Sequence, residues 1–142
     1  MLVARRHTGA LVELRVDGSP SLDQIEAWVA DIQREMHSVT TQLKRRPVLC
    51  TDLRDIQLFS QGAGERLINL MRADNPYLER NGILGSGSAL LTMQVQRLFA
   101  EAAGGLRRRY FTTKEQLYPW LGEVLLPDEQ ARLRSFIARG EP

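Results

Sequence analysis

Asp52, Arg54 and Asp55 stand together at the end of an apolar run, where a strand gives way to a loop. Two carboxylates held this close push each other's pKa values apart, which general acid–base chemistry requires of a pair. The carboxyl ends of strands are also the usual ligand edge of an open α/β sheet. Arg54 between them supports a plainer reading, a solvent-exposed loop cluster partly neutralised by its own arginine. Ser60 follows, at the head of a helix. A hydroxyl there can be phosphorylated, because free helix amides and the dipole stabilise the added anion; it can equally be an ordinary N-cap. With Gln61 and Gly62 next in the chain, these residues outline a surface on which a partner could dock.

The other reactive residue types are sparse. Cys50 is the only cysteine, so it makes neither an internal disulfide nor a cysteine-based zinc site. Inside an apolar run, with no base beside it, it reads as a small buried hydrophobe rather than a nucleophile. His7 and His37 are the only histidines, and neither has a partner at ligand spacing. His37 is read as closing a helix, where a cation suits the dipole. No metal and no cofactor is expected.

Two glycine-rich stretches occur, Gly62-Ala63-Gly64 and residues 82–88. Gly85, Ser86, Gly87 and Ser88 precede a helix and could cradle an anion on its amides. The phosphate-loop lysine is missing, however, and no Gly-x-Gly-x-x-Gly follows a strong strand; a flexible turn capped by Ser88 is the plainer reading. Lys44-Arg45-Arg46 and Arg107-Arg108-Arg109 are short basic runs. Brought together, they could hold an acidic partner, a lipid headgroup or nucleic acid. No helix-turn-helix, zinc finger or aromatic platform accompanies them, so they read as solvated strand ends and no nucleic-acid partner is expected.

The elements that must position these residues follow from periodicity. The chain has 142 residues, 43% hydrophobic and 25% charged, the size and balance of one globular domain. Nineteen basic residues against 17 acidic ones leave a net charge of +2, too little to drive nonspecific nucleic-acid binding. No window approaches the ~20 apolar residues of a membrane span. The opening apolar run is too short for a signal peptide, and a cytoplasmic protein is expected.

Residues 2–7 and 10–16 read as two strands, the second alternating apolar and charged as a strand with one wet face does. Ser21 and Gln24 form a capping box for an amphipathic helix carrying Leu22, Ile25, Trp28, Val29, Ile32 and Met36 and ending near Ser38. Residues 48–53 are a strand buried on both faces, and 61–74 a helix stopped by Asn75-Pro76. A weak strand over 81–84 leads to a helix opened by Ser88 and stopped at Gly104-Gly105. Residues 108–111 are a strand, Thr113 and Gln116 a second capping box, and Pro127 the start of a last helix. Trp28, Phe99, Trp120 and Phe136 fall on apolar faces and read as core. Strands alternating with helices imply an α/β fold, a single mixed and mostly parallel sheet of about five strands, plus a C-terminal helix. The expected division is a domain over 1–125 and an amphipathic helix and tail over 126–142.

Three stretches carry a resemblance. They are Val48-Leu49-Cys50-Thr51-Asp52-Leu53-Arg54-Asp55-Ile56, then residues 75–84, and then residues 109–121, where a strand passes into a helix bearing Trp120-Leu121. Together with the element order they resemble the STAS superfamily, the fold of bacterial anti-sigma-factor antagonists, and within it the STAS-like branch related to lipid-binding CRAL-TRIO domains. The resemblance covers about residues 1–125. It implies a serine phosphoacceptor in an Asp-Ser-Ser-Gly-like motif after the buried strand. Here that region reads Leu58-Phe59-Ser60-Gln61-Gly62-Ala63-Gly64, with Ser60 its only serine and no Asp before it.

The expectation is therefore a non-catalytic regulatory or protein-interaction module of a bacterial signalling system, acting through the 52–64 segment on another protein, with a homodimer compatible with it. The alternative is a small-molecule or lipid-binding carrier, which requires an apolar pocket of several hundred cubic ångströms. An unrecognised hydrolase using Asp52 or Asp55 ranks third.

Overall fold

A computed structural model of the chain describes residues 1–139; the last three residues of the expected C-terminal tail lie outside them. Five strands form one sheet in the order β1 (Leu2–Arg6), β2 (Leu11–Val16), β3 (Val48–Asp52), β4 (Arg80–Leu84) and β5 (Arg108–Phe111). The first pair is antiparallel and the other three are parallel. Among the described residues five α-helices connect and cover it: α1 (Leu22–Leu43), α2 (Gln61–Asp74), α3 (Ala89–Ala102), α4 (Lys114–Gly122) and α5 (Pro127–Ala138).

Spatial order follows chain order without reversal, and this decides the layering. Crossovers of one hand between adjacent parallel strands put successive helices on one side. The buried side chains of α1, α2 and α3 share a single core layer with Val12, Leu14, Leu49 and Ile83 of the sheet. Only after β5 does the chain cross over, so that α4 and α5 cover the other face against Leu11, Val48, Cys50 and Leu84. A sheet without reversed strand order has no switch point, and so lacks the crevice in which doubly wound sheets hold their ligands.

Several local expectations change. Helix α1 continues past Ser38 to Leu43, because Val39 extends the apolar stripe and the Thr40 and Thr41 hydroxyls donate back to the Met36 and His37 carbonyls. It ends where Lys44 takes a left-handed conformation, so His37 lies inside the helix and closes nothing. Thr113 makes no side-chain cap on α4. Strand β2 has no wet face: Glu13 is 0% exposed, because α5 lies over it.

Candidate functional site: the carboxyl rim of the sheet

Asp52 ends β3 on the face under α5 and is buried. Arg15, one strand away on β2, donates to it at 2.9 Å. Arg54 donates through Nε at 3.0 Å, Nη2 at 3.1 Å and its own backbone N–H at 3.1 Å, and the Arg139 guanidinium stands 3.8 Å off. Burial alone would raise the Asp52 pKa, but the bonds from Arg54 and Arg15 outweigh it and hold the carboxyl below its usual value. The two guanidinium groups also reach the last turn of α5, where Arg15 donates to the Phe136 carbonyl and Arg54 to the Ile137 carbonyl, both at 2.6 Å. These carbonyls have no partner inside the helix, so the cluster acts as its C-terminal cap.

This arrangement corrects the reading of Asp52 as exposed loop charge. Asp52 is a structural anion, while Asp55 is exposed and pairs with Arg139. Arg139 Nη1 bridges the two carboxylates, and Asp52 is held ionised by its arginines. Cys50, beneath the same helix, has its thiol pKa pushed up by burial and then by the charges of Asp52 and Glu13.

The loop from Leu53 to Ser60 is pinned rather than loose. Gly18 N–H donates to the Asp55 carbonyl at 3.0 Å, and Gln57 N–H to the Gly18 carbonyl at 3.1 Å. Gln94 of α3 clamps Phe59 with its carboxamide, accepting from the backbone N–H at 3.0 Å and donating to the carbonyl at 2.8 Å. Ser60 is exposed and caps α2, accepting from Ala63 N–H at 3.2 Å. Gln61 and Gly62 are exposed beside it.

The clamp sets this loop against the start of α3, whose outer face carries two side chains that sequence reading missed. Leu90 is 66% exposed, Met93 69%, and Leu58 on the loop 41%. The signal was present: the buried stripe of α3 is Leu91, Val95, Leu98 and Ala102, and Leu90 and Met93 fall off it.

The other candidates separate. Gly85 is buried, packed so closely that a β-carbon there would overlap the Tyr110 hydroxyl, and Gly87 has φ +88°. Ser88 accepts from Leu91 N–H at 3.4 Å and Ser86 from Ser88 N–H at 3.3 Å, so serines occupy amides an anion would need. Members of both basic runs are engaged in internal bonds. Arg45 grips Glu129 through two bonds, at 2.7 and 3.0 Å. Arg46 donates to the Pro76 carbonyl and Arg107 to the Leu78 carbonyl, and Arg108 is buried. For Arg45 and Arg108, solvated strand ends is therefore the wrong description. No cluster of metal-ligating side chains occurs among the described residues, and no helix there is long and apolar enough to cross a membrane.

What the rim offers chemically is a firm surface of mixed character: exposed apolar Leu58, Leu90 and Met93 on the loop and α3, and exposed Ser60 and Gln61 at the start of α2. No family model matches the chain, and no curated protein matches it in sequence.

Proposed function

We propose that the chain is a non-catalytic, STAS-like protein-interaction module of a bacterial signalling system, working in the cytoplasm and docking another protein on the rim formed by the 53–60 loop and the first turns of α2 and α3. The observation that carries this reading is the exposure of Leu58, Leu90 and Met93 on a backbone fixed by the Gln94–Phe59 clamp. Apolar side chains presented on a rigid support lose little entropy on binding, as an interface core requires. Ser60, at the same rim, is placed so that a phosphate would change the charge of that surface. A lipid-carrier role has less support: the apolar cavity under α1–α3 is about 60 Å³, and the larger grooves, about 430 Å³ between α2 and α3 and about 520 Å³ between α1 and α2, are lined by charged and polar side chains such as Glu65, Arg97, His37 and Asp74. Hydrolysis through Asp52 has less still, because its arginine partners make the carboxylate a poor base.

The test compares complexes formed in cells by the tagged wild type and by a Leu90→Asp/Met93→Asp variant, with thermal melts run alongside. A stoichiometric partner lost by a variant that melts normally supports the reading. An unchanged partner set, or a chain that binds only itself through another face, overturns it.

A further inference from the structure

Apart from Arg6 at the β1 edge, which bonds Ser38 and Gln42 of α1, and Tyr110 on β5, the sheet face beneath α1, α2 and α3 is apolar except for one line of polar side chains across it. Thr51 on β3, Asn81 on β4 and Arg108 on β5 are all buried, and Asn81 and Arg108 are register neighbours. They border a cavity of about 60 Å³ whose other walls include Leu49, Met71, Val95 and Leu98. Thr51 Oγ1 donates to Asn81 Oδ1 at 3.1 Å, which leaves the Asn81 carboxamide N–H groups without a partner. Arg108 donates through Nε to Asn75 Oδ1 at 2.9 Å and through Nη2 to the Met71 carbonyl at 3.3 Å. Its Nη1 has no partner, and among the described residues no carboxylate lies within ion-pair distance of it.

A guanidinium without a contacting anion, beside amide donors that open onto the same cavity, favours an occupant that supplies acceptors and charge. Asp74, at the end of α2, is the nearest acid, and it borders both this cavity and an outer groove between α1 and the end of α2 lined by Met36, His37 and Tyr77. Asp74 and Arg108 thus stand on the polar side of the cavity, and Asp74 borders the groove as well.

We propose that this cavity binds a short aliphatic carboxylate, its chain between the sheet and helices α2 and α3 and its carboxylate bonded by Arg108 and Asn81, entering past Asp74. The donors select an acceptor, and charge-assisted bonds to a carboxylate are the strongest that Arg108 can make. The volume exceeds the roughly 10–15 Å³ that one water occupies and falls below the roughly 150 Å³ that admits benzene, which leaves room for a few carbons and for no lipid tail. Burial pushes the Asp74 carboxyl up to about 6, against the pull of Arg108 and Arg66. Protonated, Asp74 donates to the bound anion; ionised, it repels it. Binding thus takes up a proton and tightens as pH falls through that value; Arg108 and Arg66 are the cations acting on Asp74, and His37 of α1 lines the groove beside it.

The experiment titrates the full chain with acetate, ethanol and acetamide and follows the methyl resonances of Leu49, Ile83 and Val95. Saturable shifts with acetate, about tenfold or more weaker with the two neutral analogues, are expected. Asn81→Asp should abolish them, and Asp74→Asn should keep binding while flattening its pH dependence. Ethanol binding as well as acetate, or no saturable shift in the millimolar range, overturns the proposal. The comparison of ligands on the wild type needs no variant to fold, and it is independent of whether the rim docks a protein.

Discussion

Glu129, in the first turn of α5, closes over Gly9 in the β1–β2 turn. Its Oε2 accepts the Ala10 backbone N–H at 2.7 Å and Arg45 at 2.7 Å, while Oε1 accepts Leu126 N–H at 2.8 Å and thereby caps its own helix. One carboxylate thus joins the hairpin turn, the end of α1 and the start of α5. The turn can pass beneath it only because position 9 has no β-carbon.

Gly9→Ala is accordingly expected to destabilise the fold by about 2–4 kcal/mol, through left-handed strain at φ +57° and displacement of the carboxylate together. Urea unfolding measures it. Gly18→Ala, at φ +69° with open space around it, is the control and should lose only about 1 kcal/mol. Equal losses would mean that the contact with Glu129 contributes nothing.

A second buried carboxylate seats the middle of α5. Glu13 receives two bonds from Arg132, at 2.7 and 2.8 Å, and a third from the half-exposed Arg5 at 3.1 Å. Removing one partner of such a pair strands the other charge, so Arg132→Met should cost about 2–4 kcal/mol. Replacing both, with Glu13→Leu and Arg132→Leu, should recover much of that, because the desolvation cost disappears with the charges. A double-mutant cycle in urea decides it; additive losses would show that the pair is not coupled.

What the sequence conceals is visible in these same residues. Some helical boundaries are legible because periods and caps are local: Ser60 and Asn75 bracket α2, and Pro127 opens α5, whereas the end of α1 at Leu43 carries no such mark. The alternation of Glu13 and Arg15 with apolar residues was read as a wet face, since nothing within a strand's length contradicts that. The residue that buries Glu13 lies 119 positions later. The arginines on the inner side of α5 likewise look like solvated charge on a helical wheel until a carboxylate is placed beneath them. The cavity line is hidden for a related reason: Asn81 and Arg108 become neighbours only through strand register, which periodicity does not specify. At the rim, Leu90 and Met93 are legible in the sequence, because both fall off the buried stripe of α3.

Acid should loosen α5 before the rest of the domain. Asp52 and Glu129 both have folded pKa values below their ordinary 3.8 and 4.5; burial opposes this, and hydrogen bonds from Arg54 and Arg15 in one case and Arg45 in the other outweigh it. A depressed folded pKa means that the unfolded chain takes up the proton first. The stabilisation is complete above those ordinary values and is lost as pH falls below about 4 through the folded ones. Hydrogen exchange of the α5 amides across that range should rise ahead of exchange in α1. Simultaneous loss of both would show that the charged seats do not set the local stability of α5.

Asp74 titrates with the opposite sign. Burial lifts its pKa from 3.8 to about 6, opposed by Arg108 and Arg66, so between those values the folded chain holds a proton that the unfolded chain has released. Stability contributed by this group therefore falls as pH rises through that window, and the penalty is complete above it. Asp74→Asn should stabilise the protein at neutral pH by about 1–2 kcal/mol, after discounting for the part-exposed position of the carboxyl, and should make no difference below about pH 4. Thermal melts of the two proteins at several pH values would trace the curve. A gain that persisted unchanged into acid would have to come from the amide's own contacts, and an absent gain would mean that Arg108 already compensates the Asp74 charge through the solvent between them.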